Sequence, residues 1–297
     1  WLRVVLPDLT QLQPKMISTA ARARGAVLGS LVGDAAAVPC HWCYDSSKLA
    51  MHLQSAKQGP AFCNPPGNNF YTPEPGGFSC YGDQAMCLLQ SLAARGKFDA
   101  EDYAKRLAAK FGKDSPYEVA AVNPDDWPEL KKNPTGPDGK VIEDQRIWSM
   151  PLPGPWRHGS IKGFLKNYVA SSKPLPDCGS SDEQVDGCCK VAPIVALLAG
   201  HPDLLPMVDK AVRVTQNTDV AAGYACGFSR VLEKLVLGSA QDIASALREA
   251  EKDLAQPMRS FKTPVDEEVL QAMGRVLGEF ATLSSEEVGR LLKPAAA

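Results

Sequence analysis

Apolar residues recur along most of this chain at the three- and four-residue spacing of amphipathic helices, and no segment shows the period-two alternation of a half-buried strand. The clearest case is 100–111, where Tyr103, Leu107 and Phe111 fall on one face, Asp99 stands at the N-cap position and Gly112 closes the helix. Before it, the pattern predicts a helix over 20–38 ended by Pro39, a short one over 49–54, and one over 84–95 with Gly96 at its C-terminal end. After Gly179 the spacing predicts helices over 185–199, 204–215 and 219–237, the last ended by Gly238. A helix capped by Ser239 carries Ile243, Leu247, Ala250 and Leu254, and one opened by Thr263-Pro264 presents Val269, Met273, Val276, Leu277 and Phe280 inward. Ser284 with Glu287 reads as the capping box of a last short helix.

Two stretches break the pattern. Residues 60–77 are a Pro/Gly/Asn loop, and 113–178 is rich in Pro, Gly, Trp and Asp with one short helix expected over 160–171. Pro155-Trp156-Arg157-His158-Gly159-Ser160 is the most site-like piece of the longer one, although a lone loop histidine is more often solvated than a ligand. Within the first helix Gly25, Gly29 and Gly33 share one face, which predicts a close crossing by another helix. No repeat of fixed length stands out, so the reading is an all-α single domain over 20–297 behind a disordered or transit-like segment at 1–19.

Composition narrows the function classes. The 297 residues are 44% hydrophobic with a net charge of -2 and no Lys/Arg block, which leaves no electrostatic footprint for nucleic acid. No apolar run reaches the about eighteen residues of a membrane span. Nine scattered cysteines, two of them adjacent at 188 and 189, fit reduced thiols in an intracellular compartment, the cytoplasm best, with organelle import left open by the Arg-containing start. Cys40-His41-Trp42-Cys43 has the spacing of a redox or zinc half-site that Cys63 and Cys80 would have to complete.

Two acidic positions resist a packing explanation. Asp34 lies beside the glycine face just before Pro39, and Asp83 stands between Gly82 and an apolar helix (Met86, Leu88, Leu89, Leu92). Burying an unpaired carboxylate is costly, so Asp83 either caps that helix, binds something, or does both.

The ordered set Gly29-Ser30-Leu31-Val32-Gly33-Asp34-Ala35, Tyr81-Gly82-Asp83-Gln84-Ala85-Met86, Lys190-Val191-Ala192-Pro193 and Thr215-Gln216-Asn217-Thr218-Asp219 resembles the ADP-ribosylglycohydrolase family. His41-Trp42, Tyr44-Asp45 and the 154–160 stretch are similar to its J1-crystallin and selenoprotein J branch, and the resemblance runs from about Ala23 to Phe280. It implies an orthogonal all-α bundle and Mg²⁺-dependent hydrolysis of an ADP-ribosyl glycosidic bond, with ADP-ribose or an ADP-ribosylated substrate as partner. Hard oxygen ligands and a metal-held water or ribose hydroxyl are what that chemistry needs. Carried over residue by residue, it makes Asp83 the catalytic metal ligand and Asp34, His41, Asn217 and Asp219 the substrate-binding groups.

The chain departs from the family pattern at several of these positions. The family's Thr-Asp-Asp-Thr is Tyr81-Gly82-Asp83-Gln84 here, its glutamate after the first-motif proline is His41, and its Thr-His histidine is Gln216. A second, Gly-Asp-x-Asp-Thr motif has no counterpart before Ala297, so a truncated C-terminus and a partial Mg²⁺ site are expected. The alternative function is a catalytically inactive, crystallin-like structural or ADP-ribose-binding homologue.

Overall fold

The computed structural model describes residues 17–43, 45–55, 61–68, 71–119, 152–283 and 287. It is built of helices, and its described strands are two residues each: β1 (Tyr71–Thr72) and β2 (Leu152–Pro153) pair in parallel. The expected all-α bundle is therefore what the chain forms.

α1 (Thr19–Ala37) starts one residue ahead of expectation, capped by the Ser18 hydroxyl, and tightens at Pro39 into a 3₁₀ turn, Val38–Cys40. α2 is Ser46–Ser55, and α3 is Cys80–Arg95, closed by Gly96 in the left-handed region. α4 (Ala100–Phe111) has the Asp99 cap and the buried Tyr103, Leu107 and Phe111 that its spacing predicts. α5 is the single turn Pro116–Val119, and α6 (Gly159–Leu165) continues into a wider turn over Lys166–Ala170.

The helix expected over 185–199 is two pieces. A 3₁₀ turn, Val185–Lys190, is followed by α7 (Ala192–Leu198), whose Pro193 lacks the N–H needed to continue a helix through it. α8 (Leu204–Arg213) precedes α9 (Asp219–Leu237), capped by Thr218 and ended by Gly238. α10 (Ile243–Ala255) is capped by Asp242 in a reciprocal box with Ser245, not by Ser239, whose hydroxyl instead donates to Lys234 O. α11 (Asp266–Leu277) buries Val269 and Met273, but Val276 faces solvent and Phe280 lies beyond the helix end under Arg275. The proposed cap at Ser284, Tyr44 and the segments 1–16 and 120–151 lie outside the described residues.

α9 is the axis of the bundle. It packs against α1, α7, α8, α10, α11 and the 185–190 turn, and buries Ala221, Ala222, Gly223, Ala225, Cys226, Gly227 and Ser229. Small side chains let neighbours come close: a Cβ on Gly227 would stand 2.6 Å from Val269 Cγ1, and one on Gly223 would overlap Val265. The close crossing predicted for α1 is found here instead. Gly25, Gly29 and Gly33 are exposed, and a Cβ on any of them would meet nothing within 4 Å. Leu31 and Ala35 of α1 turn inward with Val38, while Leu28 and Val32 stay exposed on the glycine side.

Candidate functional site

Asp34 holds the beginning of α3. Its Oδ2 accepts the Ser79 N–H at 2.8 Å and its Oδ1 the Ser79 hydroxyl at 2.5 Å, while Ser79 Oγ accepts the Tyr81 N–H. Ser79 is thus the N-cap, and Asp83 lies a turn further in. The capping role considered for Asp83 belongs to Ser79 and, behind it, to Asp34. Gly82 makes this approach possible: a Cβ there would overlap Asp34 Oδ2 and stand 2.8 Å from its Cγ. The carboxylate from α1 occupies the room a side chain at 82 would need.

Asp83 is 8% exposed and has two partners. Lys110 Nζ from α4 stands 3.0 Å from Oδ1, and the Tyr117 hydroxyl from α5 donates to Oδ2 at 2.8 Å. Burial nevertheless raises its pKa above the usual carboxylate range, against the hydrogen bonds from Lys110 and Tyr117, and the charge on Asp34 adds to the rise. His41 follows the 3₁₀ turn, with Nδ1 3.4 Å from the Tyr71 hydroxyl and its ring edge-on to Tyr81 at 6.3 Å. Burial lowers its pKa, with Asp34 pulling the other way. Asp34, His41 and Asp83 therefore share one neighbourhood at the start of α3.

Tyr81 links this neighbourhood to a second polar centre, its ring centroid 5.3 Å from that of His158. His158, Asp182 and Asp186 each offer a ligand atom within 4.8 Å of the other two. Asp186 Oδ2 lies 3.3 Å from His158 Nδ1 and accepts the Ser160 hydroxyl at 2.8 Å, and its Oδ1 accepts Gln216 Nε2 at 2.6 Å. His158 Nε2 faces Gln184 Oε1 at 3.2 Å. Burial alone would lower the His158 pKa, but the hydrogen bond and charge of Asp186 outweigh it and raise it. His158 is also the N-cap of α6, its Nδ1 accepting the Ser160 N–H at 3.4 Å.

Lys190, fully buried, reaches Gln84 Oε1 at 3.3 Å and the Thr215 hydroxyl, and burial takes its pKa down to about 8 while Asp186 opposes the fall. Ser180, ahead of this stretch, is pinned to the turn between α8 and α9 by Ser180 N to Thr215 O and Asn217 N to Ser180 O, each 2.9 Å.

Asn217 and Asp219 are placed elsewhere. Both are held by Arg213, at 3.2 Å and 2.6 Å, and the Asp219 side chain is half exposed at the outer end of α9. Among the described residues their side-chain bonds go to Arg213, and none joins them to Asp34, His41 or Asp83. Sequence reasoning missed Lys110, Tyr117, Asp182, Asp186 and Lys190 as polar partners. The available signal was a charge at 186 and at 190 inside a stretch read as an apolar helix.

A sequence profile described as ADP-ribosylglycohydrolase matches residues 16–295. The chain belongs to the ADP-ribosylglycohydrolase family. Crystallin J1A of Tripedalia cystophora is 29% identical over 216 residues, and Crystallin J1B of the same organism is 30% identical over 216 residues. Each match takes in 73% of this chain, which spans 58% of the length of these relatives.

The family is metal-dependent, and the donor sets can be tested for fit. Mg²⁺ wants octahedral oxygen, usually one or two carboxylates with several waters. At Asp83 a lysine ammonium already neutralises the single carboxylate, and glycine stands at 82. At 158–186 the set is one imidazole nitrogen with two carboxylates, a mixture suited to zinc or manganese rather than magnesium. The second cluster could hold a metal; neither donor set fits Mg²⁺ as arranged.

Proposed function

We propose that this chain keeps the ADP-ribosylglycohydrolase scaffold without the family's Mg²⁺-dependent cleavage of ADP-ribosyl bonds, and that it serves as a structural protein of the crystallin kind. The observation that carries this reading is the set of partners around Asp83: Lys110 and Tyr117 engage its two oxygens, and Asp34 stands against Gly82 where a second acidic side chain would begin. A carboxylate already paired with the Lys110 ammonium and a tyrosine hydroxyl has less to gain from a hydrated Mg²⁺, whose shell is shed reluctantly. In this reading Asp34 and His41 position the start of α3, and Asn217 and Asp219 fasten α9 to α8 through Arg213.

A second reading is favoured by one observation, the His158, Asp182 and Asp186 cluster. There the protein would be an ADP-ribosyl hydrolase whose metal is of the manganese or zinc class, held by those three residues.

One assay separates the two. ADP-ribosylated peptide incubated with the protein and Mg²⁺ or Mn²⁺ is expected to release no ADP-ribose above a protein-free control. Release with Mg²⁺ that disappears in Asp83→Asn overturns the first reading; release with Mn²⁺ that disappears in Asp182→Asn but persists in Asp83→Asn establishes the second.

A further inference from the structure

His158 stands at the start of α6, and Asp182 and Asp186 come from the loop and 3₁₀ turn that follow Ser180. One ligand atom of each lies within 4.8 Å of the other two, and among the described residues no other set of three His, Cys, Asp or Glu side chains converges in this way. The Cys40-x-x-Cys43 turn with Cys63 and Cys80, the half-site suggested by the sequence, is not such a set. Two carboxylates this close repel each other unless a cation joins them. Lys190, buried nearby, does not join them: its ammonium donates to Gln84 Oε1 and the Thr215 hydroxyl.

The carboxylates are held by bonds that leave room for an ion. Gln216, fully buried, turns its Nε2 to three acceptors of the loop: Asp182 O at 3.2 Å, Gln184 O at 2.8 Å and Asp186 Oδ1 at 2.6 Å. Its Oε1 is buried with no hydrogen-bond partner among the described residues, so the loop alone fixes the amide. The Ser160 hydroxyl holds Asp186 Oδ2, and Asp182 Oδ1 accepts the Gln184 N–H at 2.9 Å. Asp182 Oδ2 accepts no hydrogen bond among the described residues. It lies against Gly159, where a Cβ would stand 2.8 Å from it, so glycine leaves the free oxygen its place beside His158. Hydrogen bonds that orient ligand carboxylates from behind are the outer shell that a metal centre needs. Asp182 is also partly exposed, which gives an ion a way in.

We propose that His158, Asp182 and Asp186 hold one divalent ion of the manganese and zinc class, with solvent in its open positions, and that this ion fastens the start of α6 to the 180–190 stretch. One imidazole and two carboxylates make a three-ligand set of mixed nitrogen and oxygen donors that suits such ions better than Mg²⁺. The site shares its residues with the second reading of function but does not rest on hydrolysis; in a structural protein the same ion is a brace.

Mn²⁺ is the probe, because the nine thiols of the chain would take up zinc on their own. Electron paramagnetic resonance of the full chain at neutral pH follows the sharp signal of free Mn²⁺, which is lost as the ion binds. Expected is saturable uptake of one Mn²⁺ per chain that a tenfold excess of Mg²⁺ does not displace. Asp182→Asn weakens it at least tenfold, Gly159→Ala weakens it by crowding the Asp182 carboxylate, and Asp83→Asn leaves it unchanged. Amide hydrogen exchange over 158–163 and 180–190 slows with Mn²⁺ in the wild type and not in Asp182→Asn. No uptake by the wild-type protein overturns the proposal, and so does uptake that persists in Asp182→Asn or is lost in Asp83→Asn. Exchange unaltered by saturating Mn²⁺ overturns the fastening. Uptake without release of ADP-ribose sustains the site and removes only the second reading of function.

Discussion

Asp186→Ala lowers the stability of the folded chain by about 3–5 kcal/mol, the range for breaking a buried charge pair by removing one partner. Asp186 is 5% exposed and faces His158 at 3.3 Å, accepts from Ser160 and Gln216, and supplies the nearby negative charge for Lys190. Without it the buried Lys190 ammonium loses its nearby counter-charge, and His158, Ser160 and Gln216 lose their buried acceptor. Lys190→Met in the Asp186→Ala background should recover part of the loss, because the uncompensated buried ammonium is then gone; the two changes are coupled, not additive. Urea unfolding at pH 7 measures both. A loss under about 1 kcal/mol for Asp186→Ala would mean that the cluster is more open to water than its burial indicates.

The pair also has a defined pH window. His158, with its raised pKa, contributes stability that is fully present below the unfolded histidine value and is lost as pH rises through the folded one. Asp186, with its lowered pKa, contributes above the unfolded carboxylate value and loses its contribution as pH falls through the folded one.

Alkaline solution unfolds the protein between about pH 9 and 11, through groups that no active site explains. The thiols of Cys80, Cys87, Cys178 and Cys226 are all at least 94% shielded from solvent. Burial pushes Cys178 up to about 11 and Cys87 up to about 12, and Cys80 and Cys226 higher still. An unfolded chain releases these protons near the ordinary thiol value of about 8.5. Above that pH the unfolded state binds fewer protons than the folded state, so stability falls as pH rises, by up to about 1.4 kcal/mol per unit for each group. Four groups together remove roughly 5 kcal/mol per pH unit, comparable with the whole stability of an ordinary domain. Lys190 acts in the opposite sense from its folded value of about 8 upward, since the folded state gives up that proton first, but it is one group against four. Circular dichroism against pH under reducing conditions checks this. A chain still folded at pH 11 would contradict the thiol burial.

The helices were legible because their signals are local. Asp99 with Gly112, Thr218 with Gly238, and the spacing of Tyr103, Leu107 and Phe111 each fix an element from within a few residues. The errors arose where a long-range contact competes with a local rule. The three glycines of α1 satisfy a helix-crossing pattern, yet the crossing went to Gly223 and Gly227 because those glycines face Val265 and Val269. Ser239 looked like a cap, and Asp242 with Ser245 made the better one three residues on. Of the candidate site, Asp34 and Asp83 stood out as charges that packing could not explain, and His41 entered through the family resemblance. Their partners Lys110 and Tyr117 lie 27 and 34 positions beyond Asp83, and no spacing rule connects residues so far apart. Asp186 was hidden by its neighbours, since Val185 and the apolar run after Lys190 made one helix of what Pro193 separates into two.

Calorimetric titration of the wild-type chain and of Asp83→Asn with Mg²⁺ at neutral pH tests most directly whether Asp83 is spoken for by Lys110 and Tyr117 rather than by an ion. The account predicts the same featureless dilution heats for both proteins. A saturable one-to-one Mg²⁺ isotherm in the wild type that vanishes in Asp83→Asn would contradict it.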